Sequence, residues 1–195
     1  MKNIHKLAAI DIGSNAVRLL ITSIRINKSE TKFKKISLVR VPLRLGEDVF
    51  SKGKISEKKL KKLQKTLKAF KILMQMHEVY IFKAVATSAM REAENSTKII
   101  EDIFKKLNIK IDLISGKKEA LMIANVFLNS MKNLANNYLY VDVGGGSTEL
   151  NLISKNKIID TKSFKIGTVR TLNNITKETS WHNFKNWIEN NSKLY

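Results

Sequence analysis

The feature that most constrains this chain is one it contains twice. Leu7-Ala-Ala-Ile-Asp-Ile-Gly13 is a short apolar run ending in a turn signal, and Tyr138-Leu-Tyr-Val-Asp-Val-Gly144 repeats it in type. Asp142 stands where Asp11 stood, 142 − 11 = 131 residues on. Each run is followed by two more strand-like runs, Val17–Ile26 and Lys32–Val41 after the first, Thr148–Ser154 and Ile158–Phe164 after the second. The links within each set are short, so each set reads as an antiparallel meander. Two such sets predict a duplicated α/β unit of βββαβα type, and the cleft between two halves is a natural ligand site.

The intervening chain supplies the helices. Pro42 and Gly46 interrupt the strand pattern. Ser56 is a candidate N-cap for a helix to about Met76, with Leu60, Leu63, Leu67, Phe70 and Met74 at helical spacing. The lysines at 58, 61, 62, 65, 68 and 71 fall largely on other faces and read as a solvated surface. A strand at Val79–Val85, a helical stretch through Glu92 to Lys105, a strand at Ile109–Ile114 and a helix from Lys117 to Met131 lead up to the second copy. After Gly167 one amphipathic helix sets Trp181, Phe184, Trp187 and Ile188 on one side, either to cover the second sheet or to face a partner. Only 195 − 144 = 51 residues follow Gly144, so the second copy is incomplete. The expected division is residues 1–120 as a complete first domain and 121–195 as a truncated second.

Composition removes several chemistries. With no cysteine there is no disulfide, thiolate-bound zinc or thiol nucleophile. His5, His77 and His182 are scattered. No apolar run approaches the roughly 18 residues a membrane span requires, and the N-terminus has no cleavage site of signal-peptide type, so a cytoplasmic protein without a membrane partner is expected. The 36 basic and 17 acidic residues leave a charge of +19, which attracts polyanions. Lys supplies 30 of the 36 and Arg, the preferred base reader, only 6, so a nucleic-acid partner is disfavoured.

The chemistry-bearing residues sit at the ends of the repeated runs. Asp11, Gly13, Ser14 and Asn15 lie between two strands, where backbone N–H groups and short polar side chains can cradle a phosphate. Asp142, Gly144, Gly145, Gly146, Ser147, Thr148 and Glu149 form the stronger version, because three successive glycines cost backbone entropy and bury no side chain. Neither a P-loop nor a dinucleotide-binding turn is present. Asp11, Asp142 and Glu149 are candidate oxygen ligands for a hard cation, Mg²⁺ first.

These stretches resemble the exopolyphosphatase/guanosine pentaphosphate phosphohydrolase (Ppx/GppA) family of the actin-like ATPase superfamily, whose fold is ribonuclease H-like. The matching segments are AIDIGSNAVRLLI (Ala9–Ile21), LRLGED (Leu43–Asp48), ATSAMREAEN (Ala86–Asn95), ISGKKEA (Ile114–Ala120), VDVGGGSTEL (Val141–Leu150) and FKIGTVR (Phe164–Arg170), in family order. The resemblance implies hydrolysis of a terminal phosphoanhydride on polyphosphate or a guanosine penta- or tetraphosphate. It matches Glu119 to the water-activating glutamate, Asp142 to an acid near metal and water, and Arg91 to a charge-stabilising arginine. A non-catalytic polyphosphate or alarmone binder and an actin-like ATPase or kinase are the alternatives, and a homodimer is left open. Three departures stand out. Ala16 replaces a common hydroxyl residue, Lys117-Lys118 replace acids before Glu119, and the chain stops where family members continue.

Overall fold

The structure is a computed structural model that describes residues 4–26, 31–131 and 136–194. The chain divides into two compact units, Met1–Leu113 and Ile114–Tyr195. In the first, strands β1 (Ile4–Ile12), β2 (Val17–Ile26) and β3 (Thr31–Val41) form the expected meander. Helices α1 (Leu45–Lys52) and α2 (Glu57–Met76) lead to β4 (Ile81–Ala86), which returns parallel to β1. Helices α3 (Ser88–Glu92) and α4 (Ser96–Leu107) lead to β5 (Ile111–Leu113), giving a five-stranded sheet of order β3-β2-β1-β4-β5. Ile10, Ile12, Leu19 and Ile21 pack with Leu63, Leu67 and Phe70 of α2 and Ile99 and Ile103 of α4 into one core. Truncating a ring buried as Phe70 is, to alanine, costs about 3–5 kcal/mol.

The second unit opens with α5 (Gly116–Ser130) and continues through β6 (Asn137–Val143), β7 (Thr148–Ser154) and β8 (Lys157–Phe164), then α6 (Thr168–Leu172) and α7 (Glu178–Asn191). Its sheet has the order β6-β7-β8. Strand β7 is buried on both faces. Leu150 and Leu152 meet Phe164, Ile166 and Trp187 on one side, and Ile153 meets Ala124 and Phe127 of α5 on the other. The α7 aromatics therefore cover the unit's own sheet. Trp187 Nε1 also donates to Asp160 Oδ2 at 2.8 Å, while Trp181 stays partly exposed.

The repeat extends to single-residue register. Asp11 faces Arg18 and Ile12 faces Val17 in the first unit; Asp142 faces Glu149 and Val143 faces Thr148 in the second, each shifted by 131. Both meanders also carry a β-bulge at the same repeat position, between Ile21 and Thr22 and between Leu152 and Ile153, which leaves Ile36 and Ile159 without a partner residue across the strand. A bulge re-aims the strand beyond it and increases its twist, so the two sheets bend alike.

Three elements depart from the sequence expectation. Helix α1 forms where Pro42 and Gly46 predicted a break. Gly46 is there for close approach: a Cβ would sit 2.6 Å from the Phe50 ring and 3.0 Å from Ser14 Cβ. Glu47 and Asp48 in the first turn favour the helix through its dipole. The helical stretch after β4 is two helices, because the extended backbone at Ala93 ends α3. Helix α6 is short and begins directly after Gly167. Ser56 caps α2 as expected, accepting from Lys59 N at 3.4 Å.

Candidate phosphate-binding centre

The two glycine turns have one geometry. Gly13 N–H donates to Ala16 O at 3.1 Å, and Gly144 N–H donates to Ser147 O at 2.9 Å. In both turns the next two amides, those of Ser14 and Asn15 and of Gly145 and Gly146, donate to no protein acceptor among the described residues. Adjacent unsatisfied amides at a partly exposed turn are an anion-binding arrangement. The side chains nearby point inward instead. Ser14 Oγ, 3% exposed as a residue, lies 2.7 Å from Ser88 Oγ and accepts from Ala89 N–H at the start of α3. Thr148 Oγ1 donates to Ile166 O at 2.7 Å, and Ser147 is buried. Ala16 is buried as well. Asn15 remains half-exposed.

Behind the second turn the chain packs backbone on backbone. A Cβ on Gly167 would lie 2.5 Å from Gly145 O and 2.6 Å from Gly146 N, so only glycine fits. Thr168 and Val169 amides donate to Gly144 O and Gly145 O at 3.0 and 2.9 Å, and the buried Arg170 Nε donates to Gly146 O at 2.6 Å. The turn's carbonyls are thereby drawn inward by α6, leaving its amides directed away. Sequence reasoning did not single out Arg170, Ser88 or Ser163. Distance along the chain hides them, since each acts through a partner 14 to 74 residues away.

The acidic candidates differ between the units. Asp11 Oδ2 accepts from Arg18 Nη1 at 2.6 Å. At the equivalent place in the second unit Asp142 faces Glu149, and Asp142 has no ion pair among the described residues. Glu149 is 1% exposed and accepts from Ser163 Oγ at 2.8 Å. Like charges opposed across strands are destabilising unless a cation or proton intervenes. Among the described residues no group of three or more His, Asp or Glu side chains forms a metal cage. The carboxylate pair suits Mg²⁺ all the same, because that ion usually takes one or two carboxylates and completes its shell with water and phosphate oxygens. Glu119 lies in the first turn of α5, half-buried, behind a Ser115 cap that accepts from Lys118 N–H at 3.2 Å. Helix α5 packs on the sheet face that carries Glu149 and Ile153, so Glu119, Asp142 and Glu149 belong to one unit. Arg91 closes α3 in the other, its N–H donating to Thr87 O at 2.9 Å.

The Ppx/GppA phosphatase family profile matches residues 24–186. The chain belongs to this family. It is 31% identical to a bifunctional 3-dehydroquinate synthase/phosphatase of Fusobacterium nucleatum, over 98% of this chain and 31% of that protein. It is 30% identical to exopolyphosphatase 1 of Mycobacterium tuberculosis, over 74% of this chain and 41% of the relative. Among solved structures, an exopolyphosphatase from Cytophaga hutchinsonii superposes with a TM-score of 0.80 at 29% identity, covering 95% of this chain and 60% of that one. The Aquifex aeolicus Ppx/GppA family member gives 0.75 at 28%, covering 96% and 61%. The fold is thus the actin-like one expected of the family, and the chain spans about three fifths of these solved relatives. No helix among the described residues is long and apolar enough to cross a membrane.

Proposed function

We propose that this chain carries the phosphate-handling centre of a cytoplasmic phosphohydrolase that releases terminal phosphate from inorganic polyphosphate or guanosine pentaphosphate with Mg²⁺. One observation carries the reading: two carboxylates, Asp142 and Glu149, face each other beside a glycine turn whose forward amides have no protein acceptor among the described residues. The names of the relatives support the substrate class.

In this reading the Gly145 and Gly146 amides bind oxygens of the terminal phosphate, and the Ser14 and Asn15 amides bind phosphate in the same manner. Asp142 and Glu149 would hold Mg²⁺, which when bound neutralises charge on the phosphate oxygens. Ser163 orients the Glu149 carboxylate through its hydroxyl. Glu119 accepts the proton of the attacking water. Water oxygen bonds to the terminal phosphorus, the bridging P–O bond breaks, and the shortened chain leaves with the electron pair. The family resemblance gives Arg91, in the first unit, the role of balancing charge on a phosphoryl group. Positioning and charge neutralisation dominate such a reaction.

The test is phosphate release from polyphosphate, guanosine pentaphosphate and ATP, measured side by side. Release from one of the first two should exceed that from ATP; ATP turnover in excess would replace the reading with an ATPase. Binding without release would make the turns a binding module. The metal assignment predicts that Asp142→Asn raises the Mg²⁺ concentration for half-maximal release about 10–100-fold. Asp11→Asn should shift it far less, because Arg18 already neutralises that carboxylate.

A further inference from the structure

We propose that the exposed face of α2 is a docking track for the distal part of a linear phosphate chain, separate from the glycine turns. The inference rests on the phosphate-chain reading above. Helix α2 holds seven lysines and one acid. Two of the lysines have protein partners. Lys59 meets Glu47 and Asp48, each at 3.1 Å, and Lys71 Nζ donates to Leu107 O at 2.8 Å. The other five, Lys58, Lys61, Lys62, Lys65 and Lys68, are exposed and have no ion pair among the described residues. At 3.6 residues per turn they fall within an arc of about 120° and form a row about 15 Å long. The opposite face, Leu63, Leu67, Phe70 and Met74, is buried, so the helix cannot turn the row away.

The row is not what a diffuse excess of lysine would produce. Residues 1–113 hold 25 basic and 11 acidic residues, a net 25 − 11 = +14; residues 114–195 hold 11 and 6, a net 11 − 6 = +5. The other long helices mix signs on their surfaces: Lys98, Glu101, Asp102, Lys105 and Lys106 on α4, Glu178, Lys185 and Glu189 on α7. Like charges three and four apart oppose helix formation. A polyanion laid along the row removes that repulsion and releases its own counterions. A single phosphate or a nucleotide is too short to span it. A single-stranded nucleic acid would lack stacking partners, because no exposed side chain of the helix is aromatic; those beside the lysines are Glu57, Ala69, Ile72, Gln75 and Met76. A phosphate chain without bases satisfies the row completely.

The test compares the full chain with Lys61, Lys62, Lys65 and Lys68 changed to Gln, and a control with Lys155, Lys157, Lys162 and Lys177 changed to Gln, equal in charge loss. Gln keeps helix propensity close to that of Lys, and a circular-dichroism melt checks the fold. Affinity for long-chain polyphosphate, tripolyphosphate and single-stranded RNA is measured across salt concentrations. The α2 variant should lose about tenfold or more for the long chain, and its salt slope should fall by about 3, four contacts at about 0.7 each. The control and the tripolyphosphate affinities should change little. Equal losses in both variants, an unchanged α2 variant, or RNA bound as tightly and lost as steeply as polyphosphate would each overturn the track. Phosphate release from tripolyphosphate is followed in the same samples. If it persists beside an unchanged long-chain affinity, the track fails and the hydrolytic reading stands.

Discussion

Arg18 and Glu149 occupy the same repeat position, 18 + 131 = 149, so a basic residue faces Asp11 in the first unit and an acidic residue faces Asp142 in the second. Asp11 is neutralised by its neighbour; Asp142 is opposed by one. Addition along the sequence is enough to see this pairing once the repeat is aligned. Ser163 needed the β7–β8 register as well, because the bulge at Leu152 shifts the count. Lys59 was illegible, one lysine in a run of seven until the structure shows it bridging Glu47 and Asp48 and also donating to Arg44 O. Burial pushes the Asp48 carboxyl up, but the Ser56 hydroxyl, the Lys59 ammonium and the Ser56 N–H together hold it below its ordinary 3.8. A carboxyl lowered on folding stabilises above its unfolded pKa and loses that contribution as pH falls through the folded value. Asp48→Asn should therefore cost about 1–3 kcal/mol at neutral pH. The difference from wild type should shrink in denaturant melts run progressively below pH 3.8.

The elements show which signals survive in a sequence and which do not. Strands β1, β2, β6 and β7 were legible because apolar runs end at a glycine turn, and α2 because its apolar spacing and Ser56 cap agree. Helices α1 and α6 were not: Gly46 read as a break, and after Gly167 a single helix was expected where two form. Gly167 is required by close approach to the backbone of the second turn, whereas a Cβ on Gly46 would meet the side chains of Phe50 and Ser14. Gly167→Ala tests this. The new Cβ must displace the Gly145–Gly146 backbone, so the substitution should weaken phosphate or polyphosphate binding. Its effect on stability should exceed the roughly 0.4–1 kcal/mol gain that a glycine-to-alanine change gives where space permits. Calorimetric titration and a thermal melt read the two effects separately. The paired bulges in β2/β3 and β7/β8 leave no mark in composition, because Ile36 and Ile159 continue the apolar pattern.

For the molecule as a whole, two cores follow from two repeats. The first centres on the contact of Ile10, Ile12 and Leu19 with α2 and α4, and the second on Leu150, Leu152 and Trp187. Trp187→Ala should remove about 3–5 kcal/mol from the second. Hydrogen exchange should then report lost protection in β7 and β8 with β1 and β2 unchanged. The duplication was legible from the Asp-x-Gly runs, and the family, with the actin-like architecture that the resemblance implies, from six motifs in order. The side chains that shape the turns were not, because they are set by partners distant in sequence. In the proposed reaction Glu119 and the Asp142–Glu149 pair turn a phosphate-binding unit into a hydrolytic one. Its most direct measurement is inorganic phosphate released from polyphosphate in Mg²⁺ by wild type, Glu119→Gln and Asp142→Asn under one condition. Wild type should release phosphate and Glu119→Gln should lose about 10²–10⁴-fold, with Asp142→Asn similarly impaired. Release at the wild-type rate from either variant would contradict it.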